Sequence, residues 1–478
     1  MNPIFSLKRI MLVAVLLLLT LTLHTVYGQE NPLPETLSVT TPPQFERIVV
    51  ADVTDNPPAP VLAPEISRGP NAVNTANIEV NYINAAATWD TQPAAKAAFQ
   101  YAVNIWSTLI HSSTPIVIDA YWENLSVINP GILGAASAIT IHANNGSFPY
   151  ANTWYPAALA NARAGYDVNG SSTAEIRARF NSNRSDWYFG TGDITPATQY
   201  NFASVVLHEI GHGLGFFGSM FYDNGLGDWE CRGISGEGCW GYSPQGSSSI
   251  YPVIYDRFTE SAGGTSLINT GVYPNPSIQL GLQLTSSNIY FDGAIATATH
   301  GSRVPLYAPA TWRPGSSYSH LAESFNNTPN ALMTYSLSNG ETNYHPGPVA
   351  LAMFKDMGWD VTIPTVYQPP QLAQLPHQLL EMNTVRPNAF YVYDYTILVP
   401  GIVYDLSYEV TNGGDPGAGI SFDGASISIS PQPDWTGKTT ATLAVKDLND
   451  PDLQTSSSTF TVVVTDEIYK VHLPTVVK

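Results

Sequence analysis

His208-Glu209-Ile210-Gly211-His212 places two imidazoles four residues apart, with a carboxylate beside the first. On a helix, positions i and i+4 share a face, so both rings can hold one metal ion. Glu209 comes next round the cylinder, where it can take a proton from water activated by that metal. The helix that must position them is also legible. Phe202, Val205 and Val206 supply an apolar side, Asn201 suits an N-cap, and Gly215 suits a stop. Gly211 and Gly213 each cost about 1 kcal/mol against alanine inside a helix, a cost that makes sense if something packs close to the backbone. The plain alternative is a satisfied histidine pair on an amphipathic helix.

A catalytic zinc ion takes three protein ligands and leaves one position for water. Downstream candidates for the third are His300, His320 and His345, with Glu230, Glu237 and Glu260 as acidic ones. The three glutamates stand in Gly/Ser-rich surroundings without the periodicity that would aim them from a helix. His320 lies in Ser316-Ser317-Tyr318-Ser319-His320-Leu321, ahead of Asn330-Ala331-Leu332-Met333-Thr334-Tyr335. Beyond these, Pro348 to Met357 is expected to form a closing helix. Proline sits in its first turn, Val349, Met353, Phe354 and Met357 share a face, and Gly358 ends it.

Taken together, the His-Glu-x-x-His motif, the Gly213-Leu214-Gly215-Phe216 run, a long insertion, Ser319-His320 and Leu332-Met333 resemble the leishmanolysin-like branch of the metzincin metallopeptidases. Asp356-Met357-Gly358-Trp359 resembles the ending of secreted bacterial relatives, and the likeness covers roughly Asn77 to Val361. It implies an α+β metzincin-like zinc protease domain. His208, His212 and His320 would bind one catalytic Zn2+, Glu209 would be the general base, and Met333 would be the turn methionine beneath the metal. Two departures stand out. Gly218 occupies the place where most metzincins keep the third histidine, so the ligand set depends on His320. Tyr335 follows the methionine where astacin- and serralysin-like enzymes keep a zinc-swinging tyrosine; it is a catalytic candidate, with a packed aromatic as the plain alternative. His345 is the fallback ligand, and His300 is expected at the surface. Asp256 is expected to orient a ligand histidine or to form a structural ion pair.

The rest of the chain supplies the setting. Nineteen Lys and Arg against 38 Asp and Glu give a net charge of −19, and no basic stripe is present, which argues against a nucleic-acid partner. Residues 1–28, with Lys8-Arg9 ahead of the apolar run Ile10 to Leu23, resemble a secretory signal too short to span a bilayer. A secreted mature chain with no membrane span is therefore expected. In that setting the two cysteines, Cys231 and Cys239, are expected to pair in a disulfide. Residues 29–70 are rich in Pro, Thr and Ala and are expected to be a linker or pro-segment with no cysteine to block the metal.

The catalytic domain is expected over 71–361, with 218–319 as an insertion subdomain bordering the cleft. Strands are expected at Ile78–Ile83, 115–122, 138–141 and 175–180, and a helix over 93–110. A Pro-rich linker (362–376) leads to an all-β sandwich over 377–466, similar to cadherin-like or immunoglobulin-like modules, and a tail over 467–478. Asp447, Asp450 and Asp452 are candidates for Ca2+, with a polar turn as the plain alternative.

These features describe a secreted zinc endopeptidase acting on protein or peptide substrates through metal-activated water. Two rivals remain at this level: a non-catalytic adhesin on the same scaffold, and a zinc hydrolase with an acidic third ligand. Nothing in the sequence addresses oligomeric state.

Overall fold

The computed structural model describes residues 36–466 apart from 42–45, 65–66, 68–73, 85–87, 226–230, 232–233, 365–369, 399–403 and 449–454. The signal over 1–28, the tail, Glu230, Asp450 and Asp452 lie outside the described residues. Among the described residues no helix is long and apolar enough to cross a membrane. The chain divides into two units, Met1–Pro364 and Thr365–Lys478.

The first unit is mixed α/β. Its sheet uses β2 (Arg47–Asp52), β3 (Ile78–Ile83), β4 (Ile116–Glu123), β5 (Ile132–Ala138), β7 (Ile176–Asn181) and β8 (Ser336–Ser338); β1 (Leu37–Thr40) and β6 (Thr140–Ala143) pair separately. The order across the sheet is β8-β2-β5-β7-β4-β3. Strands β3, β4 and β7 run parallel, β5 is antiparallel to β7, β2 is antiparallel to β5, and β8 is parallel to β2.

Helix α1 (Pro93–Leu109) and helix α2 (Phe202–Leu214) are tied together at Trp106, whose indole donates to the Leu207 carbonyl at 2.9 Å. Every residue of α2 is buried, and each of Val205, Val206, Leu207 and Ile210 withdraws a side chain worth about 1.5–3 kcal/mol from water. The local signals work as expected. The Asn201 side chain accepts from the Ser204 N–H at 2.9 Å, and Gly215 turns the chain at φ 124°. Helix α3 (Pro348–Met357) closes the unit and ends at Gly358, φ 111°. The indole of the next residue, Trp359, donates to the Leu214 carbonyl at 2.9 Å and pins the end of α2.

Three sequence expectations change. Residues 29–70 are not simply a linker, because β1 and β2 are built into sheets and Val49 is buried in the core. Pro-rich composition around them hides the short Arg-Ile-Val-Val run. The strand expected over 138–141 is two strands, with Ile139 between them. Strand β5 (Ile-Leu-Gly-Ala-Ala-Ser-Ala) is buried on both faces, so it carries no alternation to read. The insertion over 218–319 has helices at Ile278–Leu284 and Ala294–His300 and a small antiparallel sheet, and it shares the main core through Val253, Tyr255, Leu280 and Phe291. Cys231 and Cys239 are disulfide-bonded within it.

The second unit is all-β. A four-stranded sheet (Gln378–Glu381, Leu406–Asn412, Gly437–Asp447, Thr455–Thr465) and a three-stranded sheet (Arg386–Tyr391, Ile420–Phe422, Ser426–Ile429) share a core that includes Leu380, Phe390, Ile427, Leu443, Phe460 and Val462. This unit begins earlier than expected. Gln371–Leu372 pairs with Thr396–Ile397 and Leu375 is fully buried, although both fall in the stretch expected as linker. Asp447 is buried, and its carboxylate accepts from the Asp405 N–H at 2.7 Å.

Candidate metal centre

Three imidazoles from two distant stretches converge. The Nε2 atoms of His208 and His212 lie 2.9 Å apart, those of His212 and His320 3.0 Å, and those of His320 and His208 3.3 Å. All three rings are buried, with His208 the most exposed at 2%. Each ring turns its other nitrogen to a backbone carbonyl: His208 Nδ1 to Leu332 at 2.6 Å, His212 Nδ1 to Phe216 at 2.7 Å, and His320 Nδ1 to Ser316 at 2.6 Å.

A carbonyl oxygen can only accept, so each Nδ1 carries the proton and each Nε2 presents a lone pair. Three lone pairs then face one another with no proton between them, an arrangement that repels unless a cation is shared. Donors about 2.0–2.1 Å from a tetrahedral ion stand about 3.3 Å from one another, close to the separations found here. The triad can hold a metal ion. Burial, reinforced at His212 and His320 by the positive groups around them, depresses the basicity of all three imidazoles, that of His208 to about 4. Neutral rings of this kind are ready ligands.

The floor beneath the triad comes from the chain that follows His320. Residues Ala331–Met333 form a single turn whose Leu332 carbonyl holds His208. Met333 is fully buried, and its Sδ would lie 2.9 Å from a Cβ placed on Gly211. The glycine is therefore the helix position against which the methionine packs. Gly213 is the second close approach: a Cβ there would lie 2.3 Å from Ile176 Cγ2, so α2 sits tight on β7 only because that side chain is missing.

Glu209 is completely buried, and neither carboxylate oxygen closes a well-formed hydrogen bond to protein. Burial pushes its carboxyl well above the ordinary range, the nearby Glu46 charge adds to this, and the Val49 N–H offsets part of it. Gly134 of β5 makes the room, since a Cβ there would meet Glu209 Oε1 at 2.9 Å. An acid so placed is poised to hold a proton.

The remaining candidates are placed elsewhere. The Tyr335 hydroxyl donates to Glu323 Oε1 at 3.2 Å, and its ring stacks on Tyr307 with centroids 4.2 Å apart. His345 is buried, with Nδ1 accepting from the Gly347 N–H at 2.8 Å, and half-buried His300 ends its own helix with Nδ1 3.1 Å from the Ser302 carbonyl. Glu260 is paired with Arg303. Asp256 does not orient a ligand histidine; its charge acts on buried Arg47, in keeping with the structural pairing expected of it. Its buried carboxylate accepts from the Ser219 N–H and hydroxyl, the Val253 N–H and the Tyr318 hydroxyl.

Gly218, where a nearer third ligand would stand, has no room for any side chain: a Cβ would lie 2.1 Å from Tyr318 and 2.5 Å from Asp256 Oδ1. Sequence reasoning missed one residue here. Arg47 from β2 is buried, and its guanidinium donates to the Gly218 carbonyl. The short apolar run Ile48-Val49-Val50 after it was the available signal, obscured by the prolines around it. No family model matches this chain, and no curated protein is detectably similar to it.

Proposed function

We propose that this chain is an exported, zinc-dependent endopeptidase of metzincin type that hydrolyses peptide bonds in protein or peptide substrates. The observation that carries this reading is the convergence of three Nε2 lone pairs on a helix that also presents a buried carboxylate. His208, His212 and His320 would hold a zinc ion, which would supply Lewis acidity toward water and the scissile carbonyl, and the carbonyls of Leu332, Phe216 and Ser316 fix their rings. Glu209 is the general base: it accepts the proton of the attacking water and returns it to the leaving amine.

Met333 packed under Gly211 and Trp359 pinning Leu214 support the metzincin comparison. The disulfide supports export to an oxidising compartment. The same buried carboxylate argues against a purely structural or adhesive site. Holding an acid fully buried in the core costs free energy that a structural metal has no reason to require.

Replacing Glu209 by Ala is the direct test, read by metal analysis and digestion of a mixed peptide library. Metal content is expected to stay at one ion per chain while hydrolysis falls by about 100-fold or more. Hydrolysis that survives the substitution removes the mechanism.

A further inference from the structure

Strand β2 lies between two other strands of the main sheet, beside the histidine triad. On one side it pairs antiparallel with β5, Val49 opposite Gly134 and Arg47 opposite Ala136. On the other, the Ile48 N–H donates to the Gly315 carbonyl and the Val50 N–H to the Tyr335 carbonyl, both at 3.1 Å, before Val50–Asp52 pairs in parallel with β8. These walls belong to the metal centre. Gly134 flanks Glu209, Gly315 directly precedes the residue whose carbonyl holds His320, and Tyr335 follows Met333 by two positions. Val49 borders the small cavity at His208. Without β2, two sheet edges would face each other across one strand's width, about 10 Å, with unpaired donors and acceptors along both. An extended peptide is the ligand such a slot takes.

Side chains anchor the strand at one end. The Arg47 guanidinium is buried and donates to the Gly218 carbonyl. Around it stand Asp256, Tyr255 and Tyr318, which crowd the space a Gly218 side chain would need. Burial lowers the Arg47 guanidinium to about 10, and Asp256 and the two tyrosines offset part of that cost. Next to it, Glu46 pairs with Arg179 at 2.9 Å. Beyond the strand, residues 53–60 run over the surface, with Val53, Asp55, Asn56 and Pro57 exposed, so a cut there would sever β2 from the body.

We infer that residues 46–52 are a built-in pseudosubstrate: they fill the peptide groove over the metal centre and keep it shut, and Arg47 marks a pocket that takes a basic side chain from the substrate. This rests on the metallopeptidase reading and adds to it a latency device and a substrate preference.

The test uses the full chain loaded with zinc, with a site-specific protease recognition sequence in place of residues 55–60. Cutting there, followed by removal of the freed N-terminal piece, lowers the local concentration of the strand and is expected to raise hydrolysis of a mixed peptide library by about tenfold or more. Products should be enriched in Arg or Lys within two residues of the cut, and a synthetic peptide of residues 46–52 should restore the block. Arg47→Ala in the uncut chain, checked by thermal melting, should raise the rate in the same direction.

Equal rates before and after cutting and in Arg47→Ala, with hydrolysis still dependent on Glu209, overturn the pseudosubstrate and leave the peptidase standing. A rise without basic enrichment overturns the Arg47 pocket. No hydrolysis in any form, with one zinc bound per chain, overturns the peptidase reading and this inference with it.

Discussion

The Nε2 atoms of His208 and His320 stand 3.3 Å apart although 112 residues separate them in the chain. That closeness depends on the Ser316 carbonyl at one ring and the Leu332 carbonyl at the other, so two backbone segments on either side of His320 orient the pair. Loss of an outer hydrogen bond to a ligating histidine already weakens metal binding 10–100-fold in comparable sites. Removing a whole ligand should do more.

His320→Ala is therefore expected to lower zinc affinity by at least about 100-fold and to abolish hydrolysis. Competition with a chromophoric chelator measures the first and a peptide-library digest the second. Unchanged zinc content would point to an acidic third ligand and against His320.

Gly213→Ala should destabilise the first unit by about 1–3 kcal/mol, because overpacking against Ile176 outweighs alanine's better helix propensity. The added methyl would lie 2.3 Å from Ile176 Cγ2. Combining it with Ile176→Ala should cost less than the sum of the two single changes, since the methyl then enters the space the isoleucine leaves. Denaturant melts of the four proteins provide the cycle. Strict additivity would mean that helix and strand are not in contact at this position.

Glu341 gives the pH dependence. Its carboxyl is buried, and burial raises it from 4.5 to about 7, against the Ser338 N–H, which donates to it at 3.0 Å. A folded-state pKa above the unfolded one means that the native protein binds more protons between these values. Its contribution to stability is complete below pH 4.5 and is lost as pH rises to about 7. Glu341→Gln keeps an acceptor for Ser338 and removes the titration. The variant should match the wild type near pH 4.5 and exceed it by about 1–3 kcal/mol above pH 7. Thermal melts across that range check this, and a constant difference would exclude Glu341 as its source.

Much of the local structure was legible because it depends on neighbours in sequence. The cap at Asn201, the stops at Gly215 and Gly358, the shared face of His208 and His212 and the cysteine pair all follow from short-range geometry. What could not be read is what other parts of the chain bring. Strand β5 carries no periodic signal because both its faces are covered. The prolines around β2 mask a strand that exists only because β5 and β8 offer it two edges.

The sequence by itself determined a helix with His208 and His212 on one face and Glu209 beside them, and it narrowed the candidates for a third histidine to a few residues. The tertiary structure decided that His320 meets them, that Tyr335 turns to Glu323, and that Arg47–Asp52 is a strand of the main sheet. The physical reason is range. Caps and helix faces are set within one or two turns, whereas a histidine triad and a strand lodged between two others require segments that only packing brings together.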